Sequence, residues 1–141
     1  IEYDNTDFVF LINPRYNHLS KVLNVIQEQL TRGKRVIVTG GPSNKTFIDL
    51  CLNYNIIVTD DVIGNISDDR ITTNSAFSVI IKNPSVKPIT VDKYTFGGII
   101  EDRAGKLFLI CDEGFLFNQN IETDHFYDKS NIDYLYKQIL R

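Results

Sequence analysis

The chain has 141 residues, 43% hydrophobic and 23% charged, with a formal net charge of -3 and a pI near 5.3. That size and balance fit a single domain over residues 1–141, able to build its own hydrophobic core without disulfide support. The acidic charge, with no Lys/Arg cluster or aromatic stacking motif, argues against nucleic-acid binding, and no segment approaches the roughly 18 consecutive apolar residues of a membrane span.

Asp7–Ile12 is a short apolar run closed by Asn13 and Pro14, which predicts a buried strand. Leu19, Val22, Leu23, Ile26 and Leu30 then recur at helical spacing, and Gly33 supplies a left-handed stop. Arg35–Thr39 predicts a second strand running into the Gly-rich turn from Gly40 to Asn44. A second helix follows with Phe47, Leu50, Cys51 and Tyr54 on one face. Ile56–Thr59 predicts a third strand ending in Asp60 and Asp61, so the order to this point is that of a parallel sheet with right-handed crossovers.

Residues 62–105 break that rhythm. They hold two apolar runs, Phe77–Ile81 and Ile99–Ile100, among turn signals at Asn83-Pro84, Lys87-Pro88 and Gly97-Gly98, and predict an irregular β insertion. Leu107–Cys111 is the last strand. Ser130 to Asp133 matches a capping pattern that opens a C-terminal helix carrying Ile132, Leu135, Tyr136 and Ile139. The chain begins at Ile1 without an initiating Met, which points to a processed or excised piece of a longer protein. The whole predicts a three-layer α/β domain with a mostly parallel, flavodoxin- or Rossmann-like central sheet and a β insertion.

In such a sheet, ligands bind past the carboxyl ends of the strands. The candidate ligand-binding residues are therefore Asn13, Gly40, Gly41, Asp60, Asp112, Glu113 and Asn118, with Pro14 beside them. The turn from Gly40 to Thr46 has two readings: an anion site at a helix N-terminus, or a tight turn in which Ser43 or Asn44 caps the helix. Its spacing matches neither the Walker loop nor the dinucleotide fingerprint. Asp60, Asp61 and Asp112 form an alternative set, oxygen ligands for Mg²⁺ or Mn²⁺ in phosphoryl-transfer or hydrolase chemistry. No nucleophile or supporting Lys stands at a matching spacing.

Cys51 and Cys111 make no disulfide framework or metal motif. Cys111 as a nucleophile would need a base, and His18 and His125 are the only histidines. It also lacks the small flanking residues of a nucleophile elbow. Asn44-Lys45-Thr46 and Asn65-Ile66-Ser67 match the glycosylation acceptor pattern, a chance match in an Asn-rich chain.

The order of these features resembles the glutamine-amidotransferase-like domains called GIFT domains, found in intraflagellar-transport, gliding-motility and transporter-auxiliary proteins. The resemblance covers nearly the whole chain through Phe8–Pro14, Leu30–Gly41, Tyr54–Ile57, Lys87–Thr90 and Gly105–Asn118. Catalytic members carry a Cys at the elbow where this chain has Gly40-Gly41-Pro42, so the resemblance implies the non-catalytic branch. It further implies a binding or interaction module, for a protein partner or a small polar ligand, within a larger membrane-associated assembly. Family domains usually have a further β-α unit before the first strand, which Ile1–Thr6 is too short to supply.

Overall fold

The computed structural model describes residues 8–15, 18–116, 131, 134, 135 and 137. In chain order the elements are β1 (Phe8–Ile12), α1 (Leu19–Thr31), β2 (Arg35–Thr39), α2 (Lys45–Asn53), β3 (Ile56–Gly64), β4 (Ala76–Ile81), β5 (Lys87–Val91), β6 (Tyr94–Asp102) and β7 (Gly105–Ile110). Among the described residues no helix is long and apolar enough to cross a membrane.

The first half forms as its periodicity predicts. On α1, Val22, Ile26 and Leu30 are fully buried while Leu19 and Leu23 pack at the margin of the same core. Gly33 follows the helix at φ +79°, a conformation costly for any residue with a Cβ. On α2, Phe47, Leu50 and Cys51 are buried, and Asn44 caps the helix by accepting the Phe47 N–H at 3.2 Å. The predicted C-terminal helix is met by helical backbone at Asn131, Tyr134, Leu135 and Lys137, with Leu135 buried. Its cap at Ser130 and its apolar positions Ile132, Tyr136 and Ile139 lie outside the described residues.

The expected three-layer α/β architecture is overturned. The main sheet has five strands in the order β1-β2-β7-β6-β5, parallel across β1, β2 and β7 and antiparallel from β7 to β5. Two complete helices stand among the described residues against seven strands, so strand dominates. β3 does not enter the main sheet; it pairs antiparallel with β4 in a separate two-stranded sheet. The difference lies in the burial each strand can sustain. β7 is apolar on both faces, with Leu107 and Leu109 in one core and Phe108 and Ile110 in the other, which suits a central position. β3 turns Ile56 and Val58 inward but leaves Asp60, Asp61 and Val62 exposed, so it can cover a face and cannot occupy the middle.

One core therefore lies between the sheet and α1, α2 and the inner side of the β3–β4 hairpin. The other lies on the opposite face, where Ile71, Phe115, Tyr134 and Leu135 cover Ile37, Phe108, Ile110, Phe96 and Ile99. Gly97 and Gly98 are not a turn. They sit inside β6, where a Cβ on Gly98 would stand 2.5 Å from Val86 Cγ1 and 3.2 Å from Ile56 Cδ1. The bare strand admits the close approach of the hairpin layer. The predicted turn at Asn83-Pro84 forms, with the Val86 N–H donating to the Asn83 carbonyl, and β6 itself is bounded by two-residue loops, Asp92-Lys93 and Arg103-Ala104, each starting at a positive φ.

Candidate functional site

Parallel pairing of β1, β2 and β7 brings their carboxyl ends side by side, and with them Asn13, Gly40, Gly41, Asp112 and Glu113. Asn13 leaves β1 at φ 48°, and its N–H donates to the Thr39 carbonyl at 2.8 Å and to Thr39 Oγ1 at 3.2 Å. The buried Asn44 binds both neighbours of that junction: its Nδ2 donates to Asn13 Oδ1 at 2.7 Å and to the Pro14 carbonyl at 2.8 Å. Gly40 is packed under the Phe47 ring, where a Cβ would stand 2.4 Å from Cγ, and its N–H donates to the Ile110 carbonyl. The tight-turn reading of Gly40–Thr46 is thus the one the geometry supports, with Asn44 as the cap. The same burial removes Asn44 from the glycosylation-acceptor class, because its amide already serves the interior.

Asp112 is fully buried and acts as a latch. Its carboxylate accepts the backbone N–H groups of Asn74 at 2.8 Å, Ser75 at 2.9 Å and Gly114 at 3.1 Å. Burial pushes its pKa above the ordinary carboxylate value, against the opposing pull of those hydrogen bonds. A bridge from Ala76 to Asp112 and the Phe77 N–H on the Cys111 carbonyl complete the join between the hairpin and the end of β7. Asp112 therefore holds the fold together at this edge, and its acceptors are directed at the protein itself.

Glu113 differs. Its half-buried carboxylate accepts from Ser43 Oγ at 3.3 Å, and a methyl group at Gly41 would stand 3.2 Å from its Oε1. It lies against the turn that leads into α2, where the helix N-terminus favours negative charge. A carboxylate thus already stands beside this turn.

Asp60 and Asp61 are not part of this cluster. They stand exposed on β3 where the register with β4 shifts between Val58 and Val62, and the Asp61 N–H turns back onto Thr59 Oγ1. With β3 outside the parallel sheet, its acids do not share the strand-end edge with Asp112. Among the described residues no group of three or more His, Cys, Asp or Glu is placed to hold a metal ion. Asp68 is a turn centre instead, accepting the N–H groups of Arg70, Ile71 and Asp92. Burial raises its pKa, but those backbone bonds prevail and leave it lowered.

Cys111 is buried, and desolvation, reinforced by the nearby Asp112 and Glu113, pushes its thiol up to about 12. Cys51 is raised as well by burial. Neither is a thiolate nucleophile at neutral pH. Asn118 and His125 lie outside the described residues.

No family model, curated protein or solved structure matches this chain.

Three buried polar residues escaped the sequence reading. Asn131 donates from Nδ2 to the carbonyls of Thr72 and Phe115 and accepts the Thr72 N–H, clamping the C-terminal segment to the loop before β4. Thr73 Oγ1 donates to the Gly64 carbonyl, and Thr39 serves Asn13. Only Asn44 carried a signal, its place ahead of a helical apolar stripe.

Proposed function

We propose that this chain is a non-catalytic binding or protein-interaction module that receives a donor-bearing polar group at the carboxyl ends of β1, β2 and β7. The group belongs to a small polar ligand or to a side chain of a protein partner. Glu113 carries the reading: a half-buried carboxylate beside the Gly41 backbone and Ser43 Oγ, at the edge where parallel sheets receive ligands. An ammonium or amide N–H complements that carboxylate, whereas a phosphate would meet like charge. Of the described residues at that edge, Cys111 is buried with a raised thiol pKa and Asp112 is engaged by backbone N–H groups, so neither of these two is placed to act as a nucleophile or base. The amidotransferase-like resemblance, in which Gly40-Gly41-Pro42 stands where catalytic members carry a Cys, implies the non-catalytic branch and a place within a larger assembly.

Amide chemical shifts test this with three probes: methylammonium, acetamide and inorganic phosphate. Methylammonium and acetamide are expected to move the signals of Gly41, Ser43 and Glu113, and phosphate to leave them in place. Glu113→Gln should weaken methylammonium about tenfold, the worth of one charge-assisted hydrogen bond. The reading fails if those amides respond to neither methylammonium nor acetamide, or if Glu113→Gln binds methylammonium as the parent does.

A further inference from the structure

The sheet of β3 and β4 covers only part of the face it lies on. Gly98 on β6 looks toward it: a Cβ there would stand 3.2 Å from Ile56 Cδ1 and 3.7 Å from Ile81 Cδ1. Pro88 on β5 is the Cα partner of Gly98, and register partners on neighbouring strands point to the same face. Pro88 is nevertheless exposed, because among the described residues the covering layer stops at β4. A cavity of about 320 Å³ opens at that step, and its lining includes Val79, Ile81, Pro84, Val86, Pro88 and Thr95.

β4 presents a backbone edge beside this cavity. The Lys82 N–H, just past β4, donates to the Asn55 carbonyl on the β3 side, whereas the Phe77 N–H donates the other way, to the Cys111 carbonyl. Backbone groups alternate in direction along an antiparallel strand, so Val79 and Ile81 turn their N–H and C=O groups the way Phe77 does, away from β3. Among the described residues β4 has no second strand beside it past the bridge at Ala76. Side chains alternate as well. Phe77, Val79 and Ile81 face the core, while Ile80 stands 47% exposed on the outer face.

Charge gives this edge a preference. From Ala76 to Val91 the chain has no Asp or Glu. The exposed Lys82, on the same side as Ile80, makes no ion pair among the described residues. A carboxylate opposite it on an incoming strand completes a cross-strand pair.

We infer that the outer edge of β4 receives an extended, acidic and aliphatic segment of a partner protein, added antiparallel as a third strand of the β3–β4 sheet. Main-chain bonds to Val79 and Ile81 hold the segment, and an aliphatic side chain opposite Ile81 enters the cavity. An acid one residue earlier in the segment meets Lys82. The inference does not rest on the Glu113 reading, since that carboxylate takes no part in this cavity.

Amide chemical shifts of the full chain, titrated with the peptide acetyl-Glu-Val-Thr-Val-amide, test the site. Saturable shifts are expected at Val79, Ile81 and Val86. Methylating the nitrogens of both peptide valines should weaken binding about tenfold, because those N–H groups are the ones that face β4. Lysine in place of the peptide's glutamate should weaken it about threefold, and Lys82→Glu, at an exposed position, should reverse that preference. No saturable shift at Val79 or Ile81, equal binding of the N-methylated peptide, or an unreversed preference in Lys82→Glu overturns the site. Movement of the same amides on dilution without peptide would give the edge to a second copy of the chain and overturn the partner.

Discussion

Asn44 Nδ2 donates to Asn13 Oδ1 at 2.7 Å, tying the turn after β2 to the residue that leaves β1. The same side chain caps α2 and serves the Pro14 carbonyl, so one buried amide fixes three pieces of backbone at the strand-end edge. Asn44→Ala removes the cap and leaves Asn13 and Pro14 without that donor. A loss of about 2–4 kcal/mol in urea unfolding is expected. Asn44→Asp keeps the acceptor for the Phe47 N–H but sets a buried carboxylate oxygen against Asn13 Oδ1 and the Pro14 carbonyl, and should cost at least as much as the alanine variant at neutral pH.

Asp112→Ala strands three backbone donors, at Asn74, Ser75 and Gly114, and should cost about 3 kcal/mol or more. Hydrogen exchange would register the damage first at residues 74–77 and 112–115, because those bonds join the hairpin to the end of β7.

The pH dependence of that latch has a definite sign. Burial raises the Asp112 pKa in the folded protein above its ordinary value near 3.8, so the folded state holds the proton to higher pH than the unfolded chain. Its contribution to stability is full below the ordinary value and is lost as pH rises through the folded one. Urea midpoints of the parent relative to Asp112→Asn should therefore decline as pH climbs from the ordinary carboxylate range toward neutrality. Asp68, lowered by its three backbone bonds, acts oppositely: relative to Asp68→Asn, the parent should lose stability as pH falls through that range.

Gly97→Ala should harm the fold more than Gly98→Ala. A Cβ at Gly97 would stand 2.3 Å from the Leu109 carbonyl oxygen, a backbone atom of the paired strand that cannot yield without moving the sheet. At Gly98 the nearest atom is Val86 Cγ1, a side chain, and Val86→Ala should recover part of an overpacking cost of about 1–3 kcal/mol. A double-mutant cycle by chemical unfolding measures that coupling.

Cys51 and Cys111 should both resist alkylation in the native protein at neutral pH and react freely in urea, since burial withholds the thiolate. Fast native labelling of Cys111 would contradict the buried, high-pKa thiol described above. Asp60→Ala and Asp61→Ala, at exposed positions on β3, should change stability by no more than about 0.5 kcal/mol. Mg²⁺ should give these variants and the parent the same Tm.

Local order was legible in the sequence because its causes are local. The stripe from Leu19 to Leu30, the stop at Gly33, the bounds of β2 and the cap at Asn44 all depend on neighbours within a few residues. The parallel pairing of Phe8–Ile12 with Arg35–Thr39 followed from the short β-α-β order. Tertiary structure alone decided the rest. An apolar strand reads the same whether its neighbour runs parallel or antiparallel, so nothing near Ile56 declared that β7, some fifty residues onward, would take the place beside β2. The fate of the acids followed from that choice. Asp112 could have faced a ligand or the protein, and which N–H groups reached its carboxylate was settled only when the hairpin folded across the end of β7. A carboxylate's role is set by what surrounds it in space, and for Asp112 two of the three donated N–H groups come from residues 37 and 38 positions away in the chain.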